Sequence, residues 1–455
     1  MKNLTGYIPD LKDLSDVEYY DIRLEQKFIT SIIYHNDEPQ EVSEIISNGG
    51  CVRVLYNGGW GFSSFTDLNN IKRNISEAKS LAKSIPNGKG SVLSDNKKRI
   101  SVKRFGTKDS KNIPLKEKIA NVKEAGERLR QSENIDISSV GYSDISKQML
   151  LINKFGTVID RDEVMTKGLL VGMSIKKGEP LRSMRSNCYW RGFEVFEELI
   201  EEIPEIEKEI GYLLQAENTK GGIYDVIIDP LLAGVFAHES FGHTDEADFI
   251  YKDERMREIL KIGKKLGSDD ITIIDGPANI DIAGDILYDD EGVEVKEKVL
   301  IENGILKNHL HSRETASVMK EELTGNARAI SFFYSPIVRM TNTYIKPGKA
   351  TLQDLIKETK NGLLVSGSLG GSGGEMFTFS AIYGQKIENG KITGPVKNLT
   401  LTGNLFNTLK NIIACSNEMK MFSSWGGCGK SEQFPLPVGI GGPYVIIKDA
   451  LIGGR

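Results

Sequence analysis

The chain has 455 residues, a net charge of −5, and 39% hydrophobic and 27% charged residues. That is a soluble-globular composition with enough chain for two or three domains and large cores. No apolar run approaches the roughly 20 residues of a membrane span, and the acidic balance argues against general nucleic-acid binding.

Residues 1–14 carry aspartates and a proline but no apolar signal-peptide region. Residues 19–35 alternate as Tyr20, Ile22 and Leu24, and residues 51–62 as Val52, Val54 and Tyr56, so both read as strands. A helix is expected over 71–84. The stretch 86–114 is rich in Gly, Ser, Asp, Asn and Lys and reads as a linker or exposed excursion. Leu115, Ile119, Val122 and Leu129 then mark an amphipathic helix, and strand-like runs fill 138–191. An acidic helical stretch, 193–217, closes this half and is expected to break or kink at Pro204. The character changes near 218–224, which divides the chain into an N-terminal region, 1–220, and a C-terminal region, 221–455.

The second half opens with a short strand, 224–229, ending at Pro230, which suits the first turn of a helix running to about His243. A charged helix or flap is expected over 253–265. Beyond it lie mostly strands and turns. Ile-Glu-Asn-Gly recurs at 301–304 and 387–390, and each Asn-Gly signals a type I′ hairpin. The fold class is therefore α+β. The glycine run 366–374 lacks the spacing of a phosphate-binding loop and precedes a strand-like alternation, so a flexible loop beside a cleft is expected.

Two of only five histidines fall in His238-Glu239-Ser240-Phe241-Gly242-His243. Two imidazoles and the thiolate of the distant Cys428 can fill three corners of a zinc tetrahedron and leave the fourth for water. Glu239 is placed to take that water's proton, which points to metal-assisted hydrolysis, most plausibly of a peptide bond. The spacing is unusual. Histidines four apart lie about 40° apart round an α-helix, whereas five apart lie about 140° apart and cannot share an ion on a straight helix. A π-bulge restores the common face; alternatively Gly242 ends the helix there. Cys428 stands in the glycine-dense loop 425–430, where backbone can approach an ion and Lys430 together with the metal favours the thiolate. Cys51, Cys188 and Cys415 read as packing residues, and four cysteines without a CxxC pair suit a reducing compartment.

The hexamer continues as Thr244-Asp245-Glu246-Ala247-Asp248, and downstream come Gly325-Asn326, Arg339-Met340-Thr341-Asn342-Thr343-Tyr344, Pro347-Gly348-Lys349, Cys428-Gly429-Lys430 and Pro437-Val438-Gly439. In this order the chain resembles the TldD/PmbA family, specifically its HExxxH-containing TldD-type members, most closely through 225–445. The resemblance implies a cytoplasmic zinc metallopeptidase acting on unfolded proteins or short peptides. His238, His243 and Cys428 would be the zinc ligands and Glu239 the general base. It also implies a large twisted antiparallel sheet in the C-terminal half, a smaller α/β N-terminal region, and a homodimer or a heterodimer with a PmbA-type subunit that lacks the metal motif. Glu246 or Asp248 could orient a histidine ligand or be a helix-surface acid. Arg339 and Asn342 could hold substrate or tie strands together. His309 and His311 share a strand face, with a supporting role favoured over a direct one. An extended peptide is expected to add to a sheet edge. Two other classes stay open: a metal-free hydrolase with Cys428 as nucleophile, and a non-catalytic binding or regulatory subunit with structural zinc.

Overall fold

The computed structural model describes residues 4–85, 88–176 and 178–454. The N-terminal half is one seven-stranded sheet flanked by helices. Its elements are β1 (Tyr19–His35), β2 (Glu38–Tyr56), β3 (Gly59–Phe65), α1 (Ile71–Lys83), β4 (Arg99–Arg104), α2 (Leu115–Arg130), β5 (Ile137–Asn153), β6 (Val158–Ser174), β7 (Leu181–Tyr189), α3 (Glu194–Ile200) and α4 (Ile203–Gln215). The strands run in the order β3-β2-β1-β5-β6, with β4 and β7 sharing the outer edge of β6. All pairs are antiparallel except β4 with β6.

Alternation explains which face goes inward. Ile22, Leu24, Val52 and Val54 pack under α1 against Ile75 and Ala78. Farther along, Ile32, Val140 and Leu170 pack with α2 and α4 through Val122, Leu129, Ile206 and Ile210. Each such side chain contributes about 1.5–3 kcal/mol by leaving water. The opposite face is also buried, although its residues are charged. Asp21, Arg23 and Glu25 are almost fully covered by loops of the C-terminal half. Arg53 bridges Asp21 and Glu291, with Nη2 2.8 Å from Glu291 Oε1, while Arg23 Nη2 donates to the carbonyls of Ser331 and Tyr334 at 2.8 and 3.0 Å.

Two expectations need adjustment here, and a third is met. Residues 51–62 are parts of two strands, because Asn57 and Gly58 adopt positive φ and turn the chain between β2 and β3. Within the expected linker, Pro86 and Asn87 lie outside the described residues. The remainder contains β4, whose alternating Ile100 and Val102 turn towards the protein while their neighbours face solvent. The acidic helix is broken in two, and Pro204 falls in the first turn of α4, where its missing N–H costs nothing.

The C-terminal half contains two large sheets with a helix between them, and two two-stranded ones. The larger has ten strands. Its central order is Met376–Ser380, Thr400–Asn404, Val445–Gly453, Gly222–Ile228, Gly362–Ser366, Tyr383–Glu388 and Lys391–Lys397. Most pairs are antiparallel; Gly222–Ile228 with Gly362–Ser366 is parallel. The smaller, six-stranded sheet has Lys298–Glu302, Ile273–Asp275, Asn342–Ile345 and Gly439–Gly442 as its inner strands. The α+β expectation holds, with strands shared between two large sheets instead of one.

Strand Gly222–Ile228 leads directly into the helix α5 (Pro230–Val235). Asp229 caps it by accepting from Leu232 N at 2.8 Å, and its other oxygen accepts from Gly367 N at 2.8 Å. Leu232, Phe236 and Phe241 fill the space between Val226 and Val365 of the large sheet and Ile273 and Ile345 of the small one. Gly234 lets the helix backbone meet the small sheet. A Cβ there would sit 2.4 Å from Gly441 N. The expected helix over 253–265 is much shorter, Glu254–Ile259, and it buries none of its residues. Its chain turns away at Leu260 and at the positive-φ Gly263 to run beside the hairpin near Gly304. Both Asn-Gly pairs, 303–304 and 389–390, have the two positive φ values of a type I′ turn. No helix among the described residues is long and apolar enough to cross a membrane.

Candidate metal centre

Beyond α5 the helix widens. Phe236–Gly242 is a π-helical turn, and the His243 N–H donates to the carbonyl of His238, five residues back. The wider turn cancels the 140° offset of an ordinary helix. The two imidazoles come together with ring centroids 5.2 Å apart. Of the two openings left by the spacing, the π-bulge is the one found; the helix does not end at Gly242.

Cys428 reaches the same point from the far end of the chain. It begins a short strand, Cys428–Lys430, that pairs with Gln433–Leu436. One ring nitrogen of each histidine and the Cys428 sulfur all lie within 4.8 Å of one another. Cys428 Sγ is 3.2 Å from His243 Nε2. Burial alone would push the Cys428 thiol up, but His238 and His243 beside it hold it down at about 4. Burial raises the other three cysteines instead, to about 11 for Cys51 and about 12 for Cys188 and Cys415. All four are free, and only Cys428 has the surroundings of a ligand or reactive thiolate.

His238 is almost fully buried, yet neither of its ring nitrogens has a hydrogen-bond partner among the described residues. An orphaned buried imidazole is costly unless something occupies its lone pair. Two imidazoles and a thiolate are a donor set that suits zinc, so the residues present fit such an ion.

His243 is oriented from behind. Its Nδ1 is 3.1 Å from Glu246 Oε2, which leaves Nε2 facing Cys428. Glu246 is fully buried and also receives Lys430 Nζ at 3.0 Å. Desolvation raises the Glu246 carboxyl, but His243 and Lys430 outweigh it and hold the group below its ordinary range. A carboxylate on the far nitrogen fixes the tautomer and ring angle of a metal-binding histidine. Lys430 therefore does not serve the Cys428 thiolate as expected from the sequence. Its ammonium lies 2.6 Å from Asp248 Oδ1 and donates to Val338 O at 2.8 Å, on the Glu246 side.

Glu239 is one-third exposed, and its Oε2 lies 3.9 Å from His243 Nε2. The carboxylate thus stands at the open side of the cluster. The glycine run packs against it: a Cβ on Gly373 would be 2.2 Å from Glu239 O. Close backbone approach, which spacing alone did not reveal, is what this glycine provides.

The other sequence candidates have structural places. His309 and His311 both turn to Glu321, His309 Nδ1 and His311 Nε2 each 2.9 Å from Glu321 Oε2. His309 Nε2 donates to Leu260 O at 2.8 Å. Burial depresses the His309 imidazole, but Glu321 and Asp245 lift it to about 9. Glu321 comes a full helix later in the chain, and nothing in the spacing announces it. Asn342 Nδ2 donates to Gly276 O at 2.9 Å and Asp285 Oδ1 at 2.8 Å, tying strand to loop. Arg339 is fully buried and donates to Gln433 O at 3.2 Å. Both side chains are fully buried and tie strands and loops together.

A helix between two sheets that brings two histidines, a cysteine and an adjacent glutamate to one point defines a metal-dependent hydrolase class. The model of the PmbA/TldA metallopeptidase C-terminal domain matches residues 221–454, and that of PmbA/TldA metallopeptidase domain 1 matches residues 20–82. The chain belongs to this family and is a metallopeptidase. A protein named as a metalloprotease from Synechocystis sp. is 36% identical over 97% of this chain and 96% of its own length. One named zinc metalloprotease TldD homolog, from Saccharolobus solfataricus, is 29% identical over 98% of this chain and 99% of its own. Crystallised TldE from Thermococcus kodakarensis has the same fold, with a TM-score of 0.75 at 19% identity, covering 96% of this chain and 97% of that one.

Proposed function

We propose that the chain is a zinc-dependent peptidase that cuts unfolded proteins or short peptides, with His238, His243 and Cys428 as ligands and Glu239 as general base. The observation that carries this reading is the convergence of two imidazole nitrogens and a thiol within 4.8 Å, one imidazole being buried without a hydrogen-bond partner. Zinc bound there would lower the pKa of a water towards ~7 and polarise the scissile carbonyl. Glu239 takes the attacking water's proton and delivers it to the departing amine. Glu246 holds His243 in the tautomer that presents Nε2, and Lys430 keeps Glu246 ionised. Substrate enters as an extended strand. Support for this comes from the exposed edge strand Gly370–Ser372, which runs directly into the glycine seated on Glu239.

The test is Glu239→Gln. The variant should keep its zinc and lose hydrolysis of an unstructured peptide by about 10²–10⁴-fold. Full activity in Glu239→Gln contradicts the role. A second reading, a metal-free hydrolase using Cys428, is favoured by the 3.2 Å contact between Sγ and His243 Nε2. Activity that survives chelation but not thiol alkylation would select it, and metal retention with no cleavage at all would select a regulatory subunit.

The same reading includes a partner, a second copy or a PmbA-type subunit, to be read from native mass with and without such a subunit. It places the chain in the cytoplasm, in keeping with four free cysteines, to be checked by cell fractionation. It divides the chain into a region 1–220 and a metallopeptidase unit 221–455.

A further inference from the structure

Next to the metal centre lies a cavity of about 140 Å³ between the charged face of the N-terminal sheet and the C-terminal half. Gly427, immediately before Cys428, and Leu436, its partner across the hairpin, form part of its wall. Five cations line it: Lys27 from β1, Lys147 from β5, Arg161 and Lys167 from β6, and Arg328 from the C-terminal half. Asp290 is the only carboxylate in the lining.

The cations are poorly neutralised. Arg161 donates to the carbonyl of Tyr288, and Arg328 to those of Met340 and Pro437, both at 2.7 Å; these acceptors carry no charge. Lys167 stands over the Trp425 ring at 4.5 Å. Glu25, behind the wall, takes Lys27 at 2.8 Å and Arg23 at 3.2 Å and leaves Lys147 at 3.9 Å. Asp290 is shared with Arg23 at 3.3 Å and the Ala329 N–H at 2.8 Å. Counting Arg23 and Glu25 behind the wall, and Glu163 opposite Lys147 with its partner Arg104, seven cations face three carboxylates. Lys27 and Lys147 are moreover direct neighbours across β1 and β5, a like-charge pairing that costs stability. Burial pulls the Lys147 ammonium down to about 8 despite Glu25, and the Arg328 guanidinium down to about 10 despite Asp290. Arg161 and Arg328 are buried and Lys27, Lys147 and Lys167 half-buried; charges so enclosed are normally paired, so this surplus suits an anion from outside the chain.

We propose that this cavity binds a carboxylate of the peptide substrate, so that the enzyme anchors an acidic group beside the bond it cuts. The proposal rests on the peptidase reading above. The carboxylate is either the peptide's C-terminus or an acidic side chain. Lys147, whose nearest carboxylate oxygen is 3.9 Å away and which has an ordinary lysine's reach, is the principal contact.

The experiment measures affinity by calorimetry, on zinc-loaded protein carrying Glu239→Gln so that cleavage does not interfere. Three N-acetylated hexapeptides are compared: a neutral one as amide, the same one as free acid, and the amide with glutamate as its last residue. At least one carboxylate-bearing peptide should bind about tenfold tighter than the neutral amide, the lower end for a hydrogen bond to a charged group. Which one it is identifies the source. Adding Lys147→Met should bring the three within about threefold of each other, whereas Lys147→Arg should keep the preference. Should Lys147→Met fail to fold, the peptide comparison with lysine or arginine at 147 still decides. Equal affinities with Lys147 intact, or no measurable binding, overturn the proposal, as does an unchanged preference in Lys147→Met. Cleavage of the neutral amide by the unmodified enzyme is scored separately. Cleavage with equal affinities removes only the anion site, and discrimination without any cleavage removes only the peptidase reading.

Discussion

Gly373→Ala probes the contact that holds Glu239, the proposed general base, in place. The new Cβ would lie 2.2 Å from Glu239 O, where real contacts essentially never fall below 3.0 Å. The two backbones must therefore separate by about 0.8 Å, the difference of those distances, and either the loop or the π-helical turn must give. Glu239 sits on that turn, between the two histidines. A displacement of order 1 Å in a catalytic group costs about 10²-fold in rate, or about 2.7 kcal/mol of transition-state stabilisation. The assay is kcat/KM on an unstructured peptide, with zinc content and melting temperature measured on the same preparation. Gly211→Ala, in α4 with nothing within 4 Å of its added Cβ, is the control. It should keep full activity and gain up to about 1 kcal/mol of stability. A folded Gly373→Ala enzyme with wild-type zinc and wild-type kcat/KM refutes the reasoning, because the glycine loop would then have no hold on Glu239.

Other predictions follow from neighbouring groups. Glu246→Gln removes the carboxylate behind His243 and should weaken zinc affinity about 10–100-fold in competition with a chelator; unchanged affinity contradicts its orienting role. The ion pair between His309 and Glu321 should make stability depend on pH. His309 is raised from 6.5 to about 9, so its contribution is complete below pH 6.5 and is lost as pH rises through 9. Glu321 is lowered from 4.5 to about 2, mainly by His309 and His311 against the opposing effect of burial, so its share is lost only as pH falls below 4.5 towards 2. Glu321→Gln should thus cost most between pH 4.5 and 6.5, by up to about 3 kcal/mol, and progressively less by pH 9.5. Denaturant unfolding of both proteins at pH 6 and 9.5 measures the difference; an equal cost at both values contradicts it.

Much of this architecture was legible because local signals agreed with the fold. The i, i+5 histidine spacing demanded either a π-bulge or a helix end, and Phe236–Gly242 supplies the bulge. Pro230 and Pro204 each begin a helix, and both Ile-Glu-Asn-Gly segments turn as hairpins. What escaped the sequence depends on distant chain. Asp21, Arg23 and Glu25 alternate with apolar residues as a solvent face would, yet the C-terminal half covers them. Lys430, adjacent in sequence to the cysteine loop, turns to Glu246 and Asp248 instead, since their combined charge outweighs proximity along the chain. The helix expected over 253–265 has the right propensities but only partly buried apolar residues to hold it, and Met256 and Ile259 anchor little more than one turn.

Zinc per chain, determined by elemental analysis of the unmodified protein and of Cys428→Ser, both purified without added metal and again after zinc loading, bears most directly on the metal centre. The arrangement of His238, His243 and Cys428 predicts about one zinc per chain in the unmodified protein and a marked loss in the variant. Equal zinc in both would remove Cys428 from the ligand set, and no zinc in either, even after loading, would contradict the metallopeptidase centre altogether.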